Sequence, residues 1–546
     1  MGTLTNEAPC IVFIEAPGKY AWFRDNISKH FSNVEVVFTK GKLFDIDATV
    51  TAGDLRTTLD KWTPIAGRPV EYVVAKARDA KKVIIATDDD IEGDLIASHI
   101  ARFLPADAVA YRLRLNSLTP RALEDALLRA EVYLDAGATA VSRRCFDYIV
   151  GTQIPPAGTN IPLSRIFSNA LSQIDKFTFS EYLLDGSVGD LGYVSEGINL
   201  SGDDFDPLIL KVSDFKRNVV QPTPTPKFLN TADLLIGASL SLNEDVEDVY
   251  SAAQELYEQG LITYIRTDSQ SASSESLSTI RQFADGLGMI PIGTCAETAV
   301  KGAHQAILPT GAADFPIKSN DSKLKNGVYN YIALKSLEAM YRHTYSHVKE
   351  THEAEYSVGT LAKKQYCRAV TSRNMLVVGP GVGHVRCLNN SIVPFNFRLS
   401  QTFPSKPVQV IKIPKVLNII RMLSNLALCP PGQLIHHAKR ISRYVDDHYK
   451  LTYRGSEAVD LAKNQAPFLL SRQSPEILMK TMSGTGGALE RLISCLNHIE
   501  RQDIASELQA TVKPVAEHNV ESKIAVTPDG SRGRVLYSAI SPVGGR

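Results

Sequence analysis

Several features that would identify a common class of protein are scarce or missing in this chain of 546 residues. It has seven cysteines, and the two nearest in sequence are Cys367 and Cys387, which excludes a zinc ribbon or finger built on closely spaced thiolates. An odd, scattered set of cysteines is typical of reduced thiols. No apolar run is long enough to span a membrane, and no basic region followed by an apolar one begins the sequence. We therefore expect a cytoplasmic protein without a signal peptide or a membrane partner.

The chain also lacks an excess of charge of either sign. Its 59 basic and 59 acidic side chains give a formal net charge of zero, which argues against a protein that coats nucleic acid through bulk charge. The segment from Lys406 to Lys480 is locally basic, with twelve Lys or Arg and five Asp or Glu. A phosphate-binding surface and an ordinary fluctuation of surface charge explain it equally well. No Walker A sequence is present, so we expect no requirement for ATP.

A chain of this length exceeds a single hydrophobic core, so we expect three or four domains. Residues 1–118 alternate apolar strands with helices, which predicts a mainly parallel α/β sheet. Its strands are expected at Cys10–Ile14, Val34–Phe38, Val83–Ala86 and Tyr111–Leu115. The pattern is then helical over 119–182, strand-rich over 183–222, helical over 223–350, strand-rich over 351–413 and helical over 414–510, before a polar tail at 511–546 that we expect to be flexible. This order predicts a multidomain protein of α/β, α and β parts, in which the chain leaves some domains and re-enters them later.

Three carboxylates alternate where a predicted strand gives way to a predicted helix, at Asp88, Asp90 and Glu92. Oxygen ligands of this kind suit Mg²⁺. Capping of the helix amino terminus by acidic side chains explains the same pattern equally well. Glu15, which follows the first predicted strand of the same sheet, favours the metal site, because a glutamate there could also act as a general acid or base beside the ion.

A second chemical signal is Tyr264, two residues before Arg266. A tyrosine hydroxyl becomes a nucleophile when it is deprotonated and its target phosphate is neutralised, and an arginine can hold that phosphate through two hydrogen bonds. An isolated Tyr-Ile-Arg would more often contain a tyrosine packed in a core. The sequence around the pair therefore has to decide between the two interpretations.

The segment Gly260–Ser269 closely resembles the catalytic stretch of the type IA DNA topoisomerases. Glu15 together with the acidic run resembles the Toprim module, a metal-binding α/β domain. Further similarity lies at Arg143–Gly151, Arg165–Leu171 and Ala303–Thr310, and the resemblance extends over about residues 10 to 505. It implies a torus of four domains: an amino-terminal Toprim domain, a helical base built from two distant chain segments, a β-rich arch, and a helical domain that carries the tyrosine.

The resemblance also implies an enzyme that cuts one DNA strand through a 5′-phosphotyrosine bond, passes a strand and reseals the cut. The catalytic residues it implies are Tyr264, Glu15, Arg266, Lys19 and His304. The implied ligands of Mg²⁺ are Asp88, Asp90, Glu92 and Glu15, and the implied DNA contacts are Arg165, Ser168, Asp268 and Ser269. The implied partner is DNA, single-stranded or negatively supercoiled, bound by a monomer; the sequence identifies no helicase or other protein partner.

The chain departs from the family pattern at positions near this chemistry. Ile91 replaces an arginine, Asp94 a glutamate, Lys42 a histidine, Gln305 a glutamate, Leu308 an arginine and Phe167 a glutamine. The loss of two arginines near DNA predicts weaker phosphate contacts. Because the nucleophile, its arginine and the carboxylates are retained, we expect a divergent but active enzyme.

Two other functions are compatible with parts of the pattern. A Toprim primase or nuclease would need Glu15 and the acidic run but not Tyr264. A catalytically silent protein that binds single-stranded DNA would explain Ile91, Leu308 and the neutral net charge. Within the topoisomerase interpretation, the missing zinc ribbons favour decatenation over relaxation only weakly.

Overall fold

The structure, a computed structural model, describes residues 10–47, 49–51, 62–133, 137–179, 227–286, 304–317, 322–340, 411–485 and 488–510. Strands between residues 182 and 410 are described by their backbone alone. The tail at 511–546, expected to be flexible, lies outside the described residues. The domain boundaries inferred from the sequence stay a prediction.

A five-stranded sheet organises the amino-terminal part of the chain. In spatial order its strands are β2 (Val34–Phe38), β1 (Cys10–Ile14), β5 (Lys82–Ala86), β6 (Val109–Arg112) and β7 (Glu131–Val132), while β3 (Phe44–Asp45) and β4 (Thr63–Pro64) form a separate pair. The first four strands run parallel, which confirms the predicted α/β sheet. Ile14 pairs with Ala86, so the residues that follow β1 and β5 leave the sheet at the same edge.

The far edge of this sheet differs from the prediction. The strand expected at Tyr111–Leu115 exists, but its predicted bounds are wrong, because β6 begins at Val109 and ends at Arg112. The Arg112 guanidinium turns beneath the neighbouring loop and donates to the carbonyl oxygens of Thr87 and Asp88 at 2.8 and 2.7 Å. The antiparallel strand β7 was not predicted, since two residues are too few to show a period.

The helices occupy the ranges whose sequence pattern predicts helix. They are α1 (Tyr20–Ile27), α2 (Val70–Arg78), α3 (Ile91–Ala101), α4 (Pro120–Leu128), α5 (Ala138–Thr152), α6 (Arg165–Gln173), α7 (Thr231–Leu242), α8 (Val246–Glu258), α9 (Ser274–Gly286), α10 (Lys323–Met340), α11 (Lys415–Asn425), α12 (Leu434–Ser442), α13 (Tyr453–Gln465), α14 (Ser474–Met482), α15 (Ala488–His498) and α16 (Gln502–Ala510). Several begin at a polar cap: Thr119, Ser164, Asn230 and Thr452 each accept an N–H from the first turn.

Two antiparallel sheets account for the strand-rich ranges. One has the order β10 (Lys211–Val220), β11 (Tyr345–Val358), β12 (Gln365–Val378), β13 (His384–Cys387) and β14 (Ser391–Pro394), and the other has the order β15 (Gln409–Lys412), β8 (Tyr182–Val188) and β9 (Leu191–Val194). In each sheet, a strand that precedes the segment carrying Tyr264 pairs with a strand that follows it. The chain therefore leaves its β part and re-enters it, as predicted.

Both faces of the five-stranded sheet are covered, so its central strands are buried along their length. In β1, Val12 and Ile14 belong to one hydrophobic cluster, and Ile11 and Phe13 belong to another. The first cluster continues into the helices around Tyr264, and the second continues into α5 and the last helices of the chain. Alternate side chains of one strand thus point to opposite faces of the sheet and pack against two different helical layers. Among the described residues, no helix has the length and apolarity needed to cross a membrane.

Buried hydrogen bonds join helical segments that are far apart in sequence. The side-chain nitrogen of Asn169 in α6 donates to the carbonyl oxygens of Leu469 and Ser471 at 2.9 and 2.5 Å. Ser142 in α5 donates to the carbonyl oxygen of Ala488 at 2.8 Å. These bonds hold α5 and α6 against the carboxyl-terminal helices and support the expected helical base made of two distant segments.

We predict that Asn169→Ala lowers the free energy of unfolding by about 1–3 kcal/mol, because two buried carbonyl oxygens lose their donor. Asn464→Ala, at an exposed position of α13, is the matched control and should change it by less than about 0.5 kcal/mol. Urea unfolding followed by circular dichroism measures both variants. Equal stabilities would show that this amide does not hold the two segments together.

Candidate active site

The carboxyl ends of β1 and β5 bring acidic side chains together. Glu15 follows β1, and Asp88 and Asp90 lie in the loop after β5. The charges of both aspartates act on the Glu15 carboxyl group. The loop is tight, because a Cβ atom on Gly93 would lie 1.9 Å from the carbonyl oxygen of Asp88. The register of two neighbouring strands and one glycine therefore build this acidic cluster.

Asp90 both caps a helix and contacts the predicted nucleophile. Its Oδ1 accepts the N–H of Gly93 at 2.8 Å at the start of α3. Its Oδ2 accepts a hydrogen bond of 2.6 Å from the Tyr264 hydroxyl and one of 3.2 Å from Arg266. The capping interpretation is thus confirmed for Asp90, and its second oxygen contacts the predicted nucleophile and its arginine.

Tyr264 is enclosed on all sides, with 1% of its surface exposed. Its ring meets the edge of Tyr257 at a centroid distance of 5.2 Å and stacks on His304 at 5.8 Å. Burial, followed by the charges of Asp90 and Asp88, raises the pKa of Tyr264 well above its ordinary value. The hydroxyl therefore keeps its proton in this arrangement and directs it at Asp90.

Two cations balance the carboxylates. Lys19, which is 2% exposed, forms an ion pair with Asp88, and its ammonium lies 4.5 Å from the centroid of the Tyr257 ring. Burial alone would lower the pKa of Lys19, but the Asp88 carboxylate outweighs burial and raises it. Arg266 places Nη1 3.2 Å from Asp90 and 4.0 Å from Asp88. Both cations stay charged beside the tyrosine hydroxyl.

Glu15 is the acid of this cluster that holds a proton at neutral pH. Burial, followed by the charge of Asp88, raises the pKa of Glu15 to about 8. Its Oε2 is buried and has no hydrogen-bond partner among the described residues. An unpartnered carboxylate oxygen beside two aspartates is a donor set whose chemistry fits a hard divalent cation.

Glu92 lies apart from these carboxylates. It lines a neighbouring cavity, where the Gln433 side chain donates to it at 3.5 Å. In the part of the chain that the structure describes, no three His, Cys, Asp or Glu side chains are arranged to hold a metal ion as they stand. The reason is that Lys19 and Arg266 occupy the aspartates. Ligation by Asp88, Asp90, Glu92 and Glu15 stays a prediction, and the geometry supports Glu92 least.

The predicted DNA contacts on α6 are buried. Arg165 is 2% exposed and donates to Asp147 at 3.2 Å. Ser168 is 1% exposed, and its hydroxyl accepts the backbone N–H of Ser164 at 3.2 Å. Both side chains therefore stabilise the start of the helix, and their contact with DNA stays a prediction.

The other two predicted DNA contacts follow the catalytic stretch. Asp268 is exposed and, with Arg165, lines a cavity of about 360 Å³. The Ser269 hydroxyl accepts the N–H of Ser271 at 3.3 Å and so supports a turn. The structure thus brings Asp268 and Arg165 to one cavity but leaves Ser168 and Ser269 with local backbone partners.

Substituted positions near the site have structural partners of their own. Gln305 accepts hydrogen bonds from the Ser273 N–H and the Ser276 hydroxyl at the start of α9. Leu308 is fully buried in a hydrophobic cluster, so its side chain does not face the acidic site. Asp94 pairs with two arginines at 3.2 and 2.9 Å. These substitutions are accommodated by local packing and leave the cluster around Tyr264 intact.

Sequence reasoning missed the residues that position the two cations. The Tyr250 hydroxyl accepts a hydrogen bond of 3.0 Å from Nε of Arg266, and Tyr257 lies beneath Lys19. Their spacing of seven residues on α8 places both tyrosines on one helical face, a signal that was available. For Gly432 the sequence contains no comparable signal. A Cβ atom at this position would lie 2.9 Å from Cδ of Arg266, so the glycine leaves room for the arginine side chain.

Comparison with known proteins agrees with this geometry. Residues 25–118 match the family described as Toprim domain, and residues 204–372 match the family described as DNA topoisomerase. The first range contains the acidic run, and the second contains Tyr264.

Individual relatives are distant. DNA topoisomerase 1 of Campylobacter jejuni is 26% identical over 379 residues, which cover 59% of this chain and 53% of that protein. DNA topoisomerase 1 of Thermotoga maritima is 25% identical over 405 residues, covering 65% and 62% of the two chains. The chain thus spans about half the length of the first of these curated relatives. The solved structure of full-length topoisomerase I from Thermotoga maritima shares the fold, with a TM-score of 0.54, 19% identity, and 92% and 90% of the two chains covered.

We predict that Gly432→Ala displaces Arg266 from Asp90, because the added methyl group takes the space of the arginine side chain. Cleavage of an end-labelled oligonucleotide, the reaction that we propose for this site, should fall by about tenfold to a hundredfold, the usual effect of misplacing a reacting group. The control is Gly286→Ala, where a Cβ atom meets nothing within 4 Å. Unchanged cleavage in both variants would mean that the position of Arg266 does not depend on Gly432.

Proposed function

We propose, from the chain's membership of the type IA DNA topoisomerases, that it cuts one DNA strand without ATP, passes a strand through the gap and reseals the cut. The observation that carries this proposal is the 2.6 Å hydrogen bond from Tyr264 to Asp90. It lies within a cluster that also contains Lys19, Arg266 and Glu15. A tyrosine between two cations and a protonated acid is suited to phosphoryl transfer.

Tyr264 is the nucleophile of the proposed reaction. Its oxygen bonds to phosphorus while the bond from phosphorus to the 3′ oxygen breaks, which leaves a 5′-phosphotyrosine and a free 3′-hydroxyl. Asp90 is the nearest acceptor for the tyrosine proton. A phosphate that enters beside Arg266 competes for that cation, and the release of Asp90 from Arg266 makes its carboxylate more basic.

Glu15 is the acid that completes the step. With a pKa of about 8, it is protonated at neutral pH and can donate its proton to the departing 3′ oxygen. Resealing reverses the transfer, since the same carboxylate then removes the proton from the 3′-hydroxyl. Lys19 and Arg266 stabilise the charge that develops on the phosphate oxygens during both steps.

We propose Mg²⁺ as the metal of this Toprim domain, held by Asp88 and Asp90, with Glu15 as a further ligand only after it has given up its proton. When bound, the ion supplies positive charge that offsets the phosphate oxygens and orders the strand. Without the ion, Lys19 pairs with Asp88 and Arg266 pairs with Asp90. Binding of the ion therefore requires the two aspartates to exchange these cations for the metal.

The substrate of the proposed enzyme is single-stranded or negatively supercoiled DNA, bound by a monomer in the cytoplasm. Movement of the β-rich arch would admit the second strand. A Toprim nuclease and a silent DNA-binding protein are the alternatives, and they differ from the proposed enzyme in what Tyr264 does.

Covalent capture separates the three functions. Protein incubated with 3′-end-labelled single-stranded DNA and then denatured should retain the labelled fragment, bonded through its new 5′ phosphate, and Tyr264→Phe should abolish this adduct. Tyr329→Phe is the control, because Tyr329 is a buried tyrosine of the same helical segment that donates to the Ala313 carbonyl at 2.8 Å. Cleavage that persists in Tyr264→Phe would indicate a nuclease, and binding without an adduct would indicate a silent protein.

Metal binding can be measured without enzyme activity, through the thermal stability of the protein. Saturating Mg²⁺ should raise the unfolding midpoint of metal-free protein by roughly 2–4 °C, which corresponds to about 1 kcal/mol of binding energy. Asp88→Asn should lose most of this increment, whereas Asp107→Asn, at an exposed position, should keep it. An equal increment in all three proteins would show that Mg²⁺ binds elsewhere.

A further inference from the structure

A cavity of about 390 Å³, with several charged side chains in its walls, opens beside the acidic run. Its walls come from the loop before β3, the start of α3, the helix α5 and the helix α12. The charged side chains that line it are Lys42, Arg143, Arg144, Arg440, Glu92 and Asp147. Four cations and two carboxylates line the cavity, and Asp45, which pairs with two of those cations from outside it, reduces the excess to one positive charge, in a chain whose net charge is zero. Such a local excess is what a phosphate-binding site requires.

Most cations of this cavity already have an acidic partner. Lys42 and Arg144 both pair with Asp45, at 2.8 and 2.7 Å. Arg143 lies 3.8 Å from Asp147. Arg440 differs, because no carboxylate in the described part of the chain pairs with it. Its charge is therefore available to an anion that enters the cavity.

An aromatic ring holds Arg440 in place. The guanidinium carbon lies 4.8 Å from the centroid of the Phe167 ring. Phe167 is fully buried, and Tyr444 meets it edge-on at 4.8 Å, so the ring cannot turn away. A buried ring face attracts a guanidinium and limits its rotamers, which lowers the entropic cost of each hydrogen bond that Arg440 makes.

The same helix presents a second polar group without a partner. His437, three residues before Arg440, lines the cavity and is 8% exposed. Its Nδ1 is buried with no hydrogen-bond partner among the described residues. Buried polar atoms are normally bonded, so an unpartnered nitrogen in the wall of a basic cavity indicates a missing ligand.

We infer that Arg440, held over the Phe167 ring, binds a backbone phosphate of the single strand in this cavity. The inference rests on the proposed function, and it extends that function with a further DNA contact. Phe167 stands where the family has a glutamine. The ring at this position is a platform that orients an arginine from α12.

The test is the salt dependence of single-stranded DNA binding. Oligothymidylate affinity is measured by fluorescence anisotropy at several salt concentrations, in the Tyr264→Phe background so that no covalent bond forms. Each phosphate contact to a single strand contributes about 0.7 to the slope of log K against log salt. Arg440→Gln should reduce the slope by about that amount. Phe167→Leu, which keeps apolar volume but removes the ring face, should cause a smaller reduction.

Two variants control for charge and for folding. Lys439→Gln removes a neighbouring cation of the same helix that pairs with Glu247 at 2.6 Å, and it should leave the slope unchanged. Arg440→Lys keeps the charge and should retain most of the slope, which would exclude a folding defect as the cause in Arg440→Gln.

The outcomes separate this inference from the proposed function. A slope in Arg440→Gln equal to that of the parent would overturn the inference while leaving the proposed function intact. A parent protein that binds no oligothymidylate would overturn both. Inorganic phosphate that binds at Arg440 without lowering the affinity for oligothymidylate would show a site for free phosphate only and would also overturn the inference.

Discussion

The hydrogen bond between Tyr264 and Asp90 is the contact on which the rest of the site depends. Asp90 belongs to the loop after β5, and Tyr264 belongs to a segment packed among helices. The two meet because one hydrophobic cluster runs without a break from β1 to those helices. Side chains such as Val12 and Ile14 therefore set the separation of two hydrogen-bonded groups that lie far apart in sequence. Packing in the core, rather than any local motif, controls the geometry that phosphoryl transfer needs.

Charge balance explains how the acidic side chains can lie so close together. Three ionised carboxylates in a buried site would repel one another strongly. Lys19 and Arg266 offset two of them, and Glu15 retains its proton. The same cations are the groups that a phosphate would contact. In the resting protein the site is thus neutralised by its own side chains, and substrate must replace internal ion pairs with external ones of similar strength.

Much of the fold was predictable because its signals are local or periodic. The parallel strands, the helical ranges and the re-entry of the chain into its β part follow from apolar patterning and from turn residues. The chemical residues were predictable as motifs, since Glu15, Asp90 and Tyr264 occur in stretches whose resemblance is specific. Three features could not be predicted: the short strand β7, the close approach of Gly432 to Arg266, and the packing of Arg440 on the Phe167 ring. Each depends on contacts between residues distant in sequence.

The packing of α6 against the carboxyl-terminal segment has a consequence for the synthesis of the protein. Asn169 cannot find its acceptors until Leu469 and Ser471 have left the ribosome, roughly three hundred residues after the amide itself. The nascent chain therefore carries Tyr264, the proposed nucleophile, long before the helical base is closed. An interrupted translation product would hold Tyr264 without the closed helical base, so the order of the segments along the chain would delay the proposed strand cutting until the molecule is almost complete.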